Sequence, residues 1–270
     1  MNSLGLLLKH TPSWVQIVKD RQASAQVSCT PQKASGLLAG PYLLKLSPAR
    51  GGGVSVAEEE VSHFPACCPE RHINSDATFC ISLGSTEPLI EAHSATAWWE
   101  YLRMFLLHQE YAEKFGVWPL EGGLSHGDAA QIQEKMEELA APLGWKEEIL
   151  VGMFRKKGWL ANSLPKASQR LERLLNSRTP CPRGCTRQAD SKRSIVCRLV
   201  DTDTEETDGR PILRAECPNR SALERIALLE HRRRKAQNDF IQDICKDAPE
   251  CCGTMKYCPL AKSSSRPAPV

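Results

Sequence analysis

The chain has 270 residues, a formal net charge of only +3 and an apolar content of 41%, which is enough apolar material for a core. So small a charge gives no argument for binding to nucleic acid or to a membrane surface. No apolar run approaches the ~20 residues of a membrane helix, and the run Leu4–Leu8 is shorter than the apolar region of a signal peptide. We therefore expect a cytoplasmic protein whose cysteines are thiols, metal ligands or nucleophiles.

In chain order, the pattern of apolar residues predicts strands first and helices afterwards. Segments with β-branched or alternating character predict strands at 13–18, 25–28, 42–46 and 54–64. Apolar residues at the helical period predict helices at 95–115, 128–140, 146–157, 167–176 and 221–244. Ser94 or Thr96 is the expected cap of the first of these helices and Gly116 its end, while Ser221 and Glu224 match a capping box for the last.

One cysteine stands in a patterned segment. Residues 64–83 read FPACCPERHINSDATFCISL: a proline-rich approach, the tripeptide His72–Asn74, a short turn and then Cys80 between two apolar neighbours. An amphipathic helix candidate follows, and after it come Trp118, a glycine pair and His126. A lone cysteine between apolar residues is usually a buried strand residue, so any functional interpretation depends on these surroundings.

The order of these features resembles the active-site segment of ubiquitin-conjugating enzymes, and in particular their divergent bacterial members. In that family a proline-rich strand exit leads to a His-Pro-Asn tripeptide, a flap and the catalytic cysteine. Here Ile73 stands at the proline position, the step from Asn74 to Cys80 is slightly shorter, and Asp76-Ala77 replace a turn that usually contains glycine. The resemblance covers about residues 40–127.

The resemblance implies a transferase that carries a ubiquitin-like modifier as a thioester on Cys80 and passes it to an amine. Asn74 is the expected hydrogen-bond donor to the oxyanion, and His72 the residue that supports the loop. Asp76 is expected to orient or deprotonate the amine, and His126 to reach the site from the following helices. The implied partners are the modifier, a ubiquitin-activating enzyme and a protein substrate, and related bacterial enzymes belong to conjugation systems, many linked to antiviral defence.

Eight of the twelve cysteines lie in the last third of the chain. They form two groups of four, and each group can supply the four thiolates of a structural zinc site. The first group is Cys181, Cys185, Cys197 and Cys217, and the second is Cys245, Cys251, Cys252 and Cys258. We expect one or two zinc ions here, with His231 as an alternative ligand. The spacings are looser than paired C-x₂-C motifs, so free thiols or redox-labile disulfides are the alternative.

A second metal site is an alternative for the adjacent pair Cys67 and Cys68, together with His63 and His72. Adjacent cysteines are poor paired ligands for one ion, so the thioester interpretation of this segment is preferred.

The predicted fold class is α+β, with an antiparallel sheet and flanking helices as in ubiquitin-conjugating enzymes, followed by a helical, cysteine-rich module. The predicted divisions are a conjugating-like domain at 1–165, a helical linker at 166–178, a zinc-binding module at 179–260 and a disordered tail at 261–270.

Two other functions stay open at this point. In the first, Cys80 is idle and the chain is a non-catalytic, zinc-binding interaction module. In the second, the basic run His231–Lys235, or a helix-turn-helix made from 128–140 and 146–157, binds nucleic acid. The low net charge disfavours the second function.

Overall fold

A computed structural model describes residues 2–84, 86–158, 160–161, 164–175, 217–246 and 250–262, together with the backbone of two strands at 183–187 and 195–199. Most of the tail predicted at 261–270 lies outside the described residues. The chain divides into two compact units, one made of residues 1–122 and 243–270 and the other of residues 123–242. Among the described residues, no helix has the length and apolarity needed to cross a bilayer.

The first unit contains a four-stranded antiparallel sheet in the order β1-β2-β3-β4. The strands are β1 (Val15–Arg21), β2 (Ser24–Cys29), β3 (Tyr42–Pro48) and β4 (Val54–Glu58). Alternate residues of β2 and β3 are buried, as expected for a sheet with one face on a core. All four predicted strands are present, and a short helix α1 (Ser3–Lys9), which was not predicted, precedes them.

Strand β4 ends six residues earlier than the predicted limit at Phe64. The carboxylate of Glu58 accepts hydrogen bonds from the backbone N–H groups of Ser62, His63 and Phe64 at 3.2, 3.0 and 3.0 Å. One side chain therefore satisfies three consecutive backbone donors, and the chain turns at this point.

Helix α2 (Ala92–Phe115) is the predicted long helix of the first unit. Glu91 is its N-cap, and Ser94 at the third helical position completes a capping box, so Ser94 contributes to the start without being the N-cap itself. Gly116 ends the helix in the left-handed conformation at φ 67°, as predicted. The buried face of α2 includes Trp98 and Trp99.

The second unit is mainly helical. Its elements are α3 (Asp128–Ala140), α4 (Lys146–Leu150), a π-helical turn (Val151–Arg155), the antiparallel pair β5 (Arg183–Arg187) and β6 (Ile195–Leu199), and most of α5 (Arg220–Lys246). The predicted helix at 146–157 is thus α4 followed by the π-helical turn.

The helix predicted at 167–176 is wrong for the part that the structure describes. Residues 167–175 form a turn closed by an isolated bridge between Ala167 and Leu174. The hydroxyl of Ser168 accepts hydrogen bonds from the N–H groups of Glu172 and Arg173. A serine that bonds nearby backbone competes with helix formation, and the described part of the linker predicted at 166–178 is accordingly not helical.

Candidate active site

The predicted site segment folds as a small irregular hairpin in the first unit. A 3₁₀ turn, Pro69–Arg71, leads into His72, whose backbone is left-handed at φ 56°. Ile73 then pairs with Cys68 through two hydrogen bonds of 3.0 Å, and it also bridges to Phe79. Finally, the N–H of Cys80 donates to the carbonyl of His72 at 2.9 Å. The backbone of His72 therefore fixes the position of Cys80.

Ile73 has a structural reason to stand where the resembling family has proline. Its N–H donates to the carbonyl of Cys68 at 3.0 Å, and proline has no N–H to offer. Its side chain is only 2% exposed and belongs to the core of the unit. The substitution thus exchanges a rigid backbone for a hydrogen bond and a buried apolar contact.

Cys80 is half-buried and lies outside the strands. It is therefore not the buried strand residue that a cysteine between apolar neighbours usually is. Burial raises the pKa of the Cys80 thiol, so at neutral pH the sulfur is protonated. Because the thiolate is the nucleophile, attack by Cys80 requires that the bound reaction partner or high pH favour loss of this proton.

The loop that precedes Cys80 is held by a chain of side-chain hydrogen bonds. Asn74 Nδ2 donates to Thr78 Oγ1 at 3.0 Å, and Thr78 Oγ1 donates to Asp76 Oδ1 at 2.6 Å. The Thr78 N–H also donates to Asp76 Oδ1 at 3.0 Å. Asn74 and Asp76, predicted to act directly on the substrate, are therefore linked to each other through Thr78, a residue that the sequence did not single out.

His72 is buried, with its ring edge-on to Trp118 at a centroid distance of 4.9 Å. The loop-supporting role predicted for His72 stays a prediction. His126 lies in the second unit, where its N–H donates to Gln237 Oε1 at 2.9 Å. Its ring stacks on Phe240 at 5.1 Å, and its Nδ1 lies 2.9 Å from Gln237 Nε2. The contacts described here for His126 are thus made to helix α5, and its predicted catalytic role remains a prediction.

The first predicted zinc group lies in the second unit. The register of β5 and β6 places Cys185 directly opposite Cys197, and Cys217 is buried before α5. Cys181 lies outside the described residues. Two cysteines of this group are therefore brought together by backbone pairing alone.

The second predicted zinc group lies in the C-terminal part of the first unit. Cys251 and Cys252 are half-buried and Cys258 is buried, while the side chain of Cys245 is outside the described part. Cys252 Sγ lies 3.1 Å from the Sγ of Cys68, a cysteine that belongs to neither predicted zinc group. Within the described ranges, no three His, Cys, Asp or Glu side chains are arranged to hold a metal ion, which includes the alternative site at His63, Cys67, Cys68 and His72.

The contact between Cys68 and Cys252 shifts the pKa values of the two thiols in opposite directions. The hydrogen bond between them raises the pKa of Cys68, and burial raises it further. The same hydrogen bond lowers the pKa of Cys252 to about 5, with help from Thr254, whose Oγ1 lies 3.2 Å from the sulfur.

Comparison with known protein families assigns both parts of the chain. Residues 14–120 match the family model of the prokaryotic E2 domain. Residues 125–260, half of the chain, match the family model of the cysteine-rich domain that lies C-terminal to E2 domains. The chain belongs to this family of prokaryotic E2 proteins. Searches of curated proteins and of solved structures gave no match.

The two family models meet between residues 120 and 125, whereas the sequence patterns suggested a division at 165. Helices α3 and α4 accordingly fall in the cysteine-rich domain. The whole predicted site segment from His72 to Cys80 falls in the E2 domain, and His126 falls in the cysteine-rich domain.

A buried polar pair in the E2 domain was missed by sequence reasoning. Arg71 is 2% exposed and Gln109 is fully buried. They connect the turn before His72 to the middle of α2. A single sequence does not show that an arginine in a loop is buried. The available signal was Gln109, a polar residue on the apolar face of α2, because a buried amide needs a hydrogen-bond partner.

In the cysteine-rich domain, the basic run of α5 is engaged in internal contacts. Arg233 donates through Nε to Glu230 at 2.6 Å, and Arg234 Nε donates to the same carboxylate at 2.8 Å. Arg232 donates to the carbonyl of Leu171, and His231 Nε2 lies 2.7 Å from the carbonyl of Pro165. These contacts are internal to the domain, and they engage side-chain groups of the run that phosphate binding would use.

Proposed function

We propose that Cys80 carries a ubiquitin-like modifier as a thioester and transfers it to an amine of a target protein, in a bacterial conjugation system in the cytoplasm. One observation carries the proposal. Cys80 is half-buried outside the strands, at the end of a loop that His72 fixes, within the segment that matches the prokaryotic E2 domain.

The first step of the proposed reaction is a thioester exchange. The Cys80 thiolate attacks the carbonyl carbon of the modifier's C-terminus, which a ubiquitin-activating enzyme delivers as its own thioester. A new carbon–sulfur bond forms to Cys80, and the thiolate of the activating enzyme leaves. The thiol proton of Cys80, favoured by burial, passes to solvent before attack, and the outgoing thiolate takes up a proton from solvent after it leaves.

In the second step, the amine of the target protein attacks the same carbonyl carbon. Negative charge develops on the carbonyl oxygen, and Asn74 Nδ2 is the proposed donor to it. The carbon–sulfur bond then breaks, the Cys80 thiolate leaves, the amide forms, and the proton that the nitrogen loses passes through solvent to the Cys80 thiolate. We assign to Asp76 the role of orienting the amine and holding Thr78, which in turn positions Asn74. His72 supports the loop, and His126 is proposed as an additional contact to the substrate.

The test is a charging reaction with a cognate activating enzyme, its modifier and ATP, followed by non-reducing electrophoresis. We expect an adduct that dithiothreitol cleaves, and none for Cys80→Ala. Cys80→Ser should form an oxygen ester that resists dithiothreitol, while Cys67→Ala, a change at another half-buried cysteine of the unit, should charge normally. No adduct from an activating enzyme that charges another conjugating enzyme would refute the proposal.

For the cysteine-rich domain we propose structural zinc. The donor chemistry fits, because four thiolates make a closed tetrahedral zinc site. The pairing of Cys185 with Cys197 supports the first group, Cys181, Cys185, Cys197 and Cys217, as ligands of one ion. Zinc bound there would supply folding free energy rather than chemistry. A second ion would use Cys245, Cys251, Cys252 and Cys258, and it would require Cys252 to leave its contact with Cys68.

Elemental analysis of the purified chain tests the zinc proposal. We expect at least one zinc ion per chain. The double variant Cys185→Ser/Cys197→Ser should lose the ion of the first group. Cys29→Ser, a change at a buried cysteine of the sheet, is the control and should keep the zinc content of the wild-type chain. Absence of zinc from protein purified without chelator would refute it. Because the cysteine-rich match covers half of the chain, a second candidate function is a zinc-dependent interaction module, which predicts partner binding that survives Cys80→Ala.

A further inference from the structure

The C-terminal segment 250–262 packs into the core of the first unit. Its residues in that core are Met255, Cys258 and Leu260. The N–H of Lys256 donates to the carbonyl of Gly116 at 2.8 Å, at the end of α2. This packing brings together Cys252 and Cys68, which are separated by 184 positions in the chain. The contact is therefore a product of the tertiary fold and not of local sequence.

The separation of the two sulfurs suits a disulfide better than a shared metal ion. Two thiolates on one tetrahedral zinc ion lie roughly 3.8 Å apart when each Zn–S bond is about 2.3 Å. The Sγ atoms of Cys68 and Cys252 lie 3.1 Å apart, and a further approach of about 1 Å reaches a disulfide bond length. We propose that Cys68 and Cys252 are a redox pair whose reversible disulfide joins the C-terminal segment to the hairpin of residues 68–80, which carries Cys80.

The proposed oxidant is a hydroperoxide. The sulfur of Cys252, which is half-buried, is the accessible one, whereas Cys68 is fully buried. Cys252 attacks the peroxide, so a sulfur–oxygen bond forms, the oxygen–oxygen bond breaks and water or an alcohol leaves. The sulfur of Cys68 then attacks the sulfenic sulfur. The sulfur–sulfur bond forms, the hydroxyl group leaves as water with the Cys68 proton, and two electrons have passed from the thiols to the peroxide. A small dithiol reverses the reaction by exchange.

The position of Cys68 gives the disulfide a defined consequence. Cys68 exchanges two backbone hydrogen bonds with Ile73, and the carbonyl of His72 holds the N–H of Cys80. A covalent bond at Cys68 would therefore clamp the C-terminal segment against the loop that carries the proposed nucleophile. Disulfides in reducing compartments are usually transient and regulatory, which agrees with a pair that is reduced in the resting protein. The proposal does not depend on whether Cys80 forms a thioester.

The experiment uses the full chain, reduced and then treated with stoichiometric hydrogen peroxide, followed by peptide mass spectrometry without reduction. We expect a cross-linked peptide pair containing Cys68 and Cys252, two hydrogen atoms lighter than the reduced pair, that a dithiol restores. The oxidised protein should also unfold at a higher urea concentration than the reduced one. Cys252→Ser should abolish the cross-link, and Cys67→Ser, a change at the half-buried cysteine next to Cys68, should retain it.

Cys68→Ala should also abolish the cross-link. If this substitution in the core prevents folding, Cys252→Ser, at a half-buried position, still tests the proposal. A cross-link from Cys68 or Cys252 to any other cysteine would overturn the proposal, as would exclusive oxidation of Cys252 to sulfinic acid. Loss of bound zinc from reduced Cys252→Ser, with no cross-link in the wild-type chain, would assign the pair to a metal site instead. Failure of Cys80 to charge would leave this result unchanged, so the two proposals are tested separately.

Discussion

Arg71 and Gln109 hold each other through reciprocal hydrogen bonds in the core of the E2 domain. Arg71 Nε donates to Gln109 Oε1 at 2.7 Å, and Gln109 Nε2 donates to the carbonyl of Arg71 at 2.7 Å. The guanidinium carbon also lies 5.8 Å from the centre of the Phe64 ring. Because His72 follows Arg71 directly and holds the N–H of Cys80, this pair anchors the loop of the candidate nucleophile to α2.

Gln109→Ala should destabilise the E2 domain by about 2–4 kcal/mol, because a buried guanidinium would lose its main acceptor. Urea unfolding followed by tryptophan fluorescence measures the change. Gln131→Ala, at an exposed position of α3, is the control and should change the stability by less than about 0.5 kcal/mol. Equal effects of the two substitutions would show that the Arg71 interaction does not stabilise the fold.

Ala77 occupies the left-handed region at φ 64°, in the turn where glycine would be usual. A side chain in this conformation costs roughly 1–2 kcal/mol. Ala77→Gly should therefore stabilise the chain by about 1 kcal/mol despite the greater freedom of glycine when unfolded. Ala66→Gly, at an exposed alanine outside the positive-φ residues, should destabilise it instead. A loss of stability in both variants would contradict the strain at Ala77.

Much of the E2 domain could be predicted because its signals are local. Alternation predicted strands β2 and β3, and Gly116 marked the end of α2. The order of residues around Cys80 led to the family. These features depend on neighbours two to four positions away, which a single sequence displays directly.

The remaining features depend on contacts that are distant in sequence or specific to one side chain. The end of β4 depends on how the Glu58 carboxylate turns back on the chain. The turn at Ser168 depends on a hydroxyl that competes with helix formation. The partner of Cys252 depends on the packing of the C-terminal segment, which brings it to Cys68 across 184 positions. No periodic pattern in the sequence reveals the contact between Cys68 and Cys252, so Cys252 was assigned to the same zinc group as its sequence neighbours.

Asn74→Ala should slow transfer of the modifier from Cys80 to an amine by about 10²–10³-fold, since removing one oxyanion donor has an effect of this size. Charging of Cys80 should change much less, so a single-turnover discharge assay to free lysine separates the two steps. Ser75→Ala, at the exposed neighbouring residue, is the matched control. Thr78→Val should produce an intermediate defect because it releases Asn74 from its hydrogen bond. Discharge at the wild-type rate in Asn74→Ala would exclude Asn74 as the donor.

The reactivity of Cys80 should continue to rise at alkaline pH. Burial raises the pKa of the Cys80 thiol, and only the thiolate reacts with iodoacetamide. Below the pKa, the thiolate fraction grows about tenfold per pH unit, and for a free cysteine this rise ends near pH 8.5. The alkylation rate of Cys80, measured by peptide mass spectrometry, should therefore still increase above the pH at which the same residue levels off in urea. A plateau of the folded protein at or below that of the unfolded chain would contradict a raised pKa, and would indicate that neighbouring groups already stabilise the thiolate.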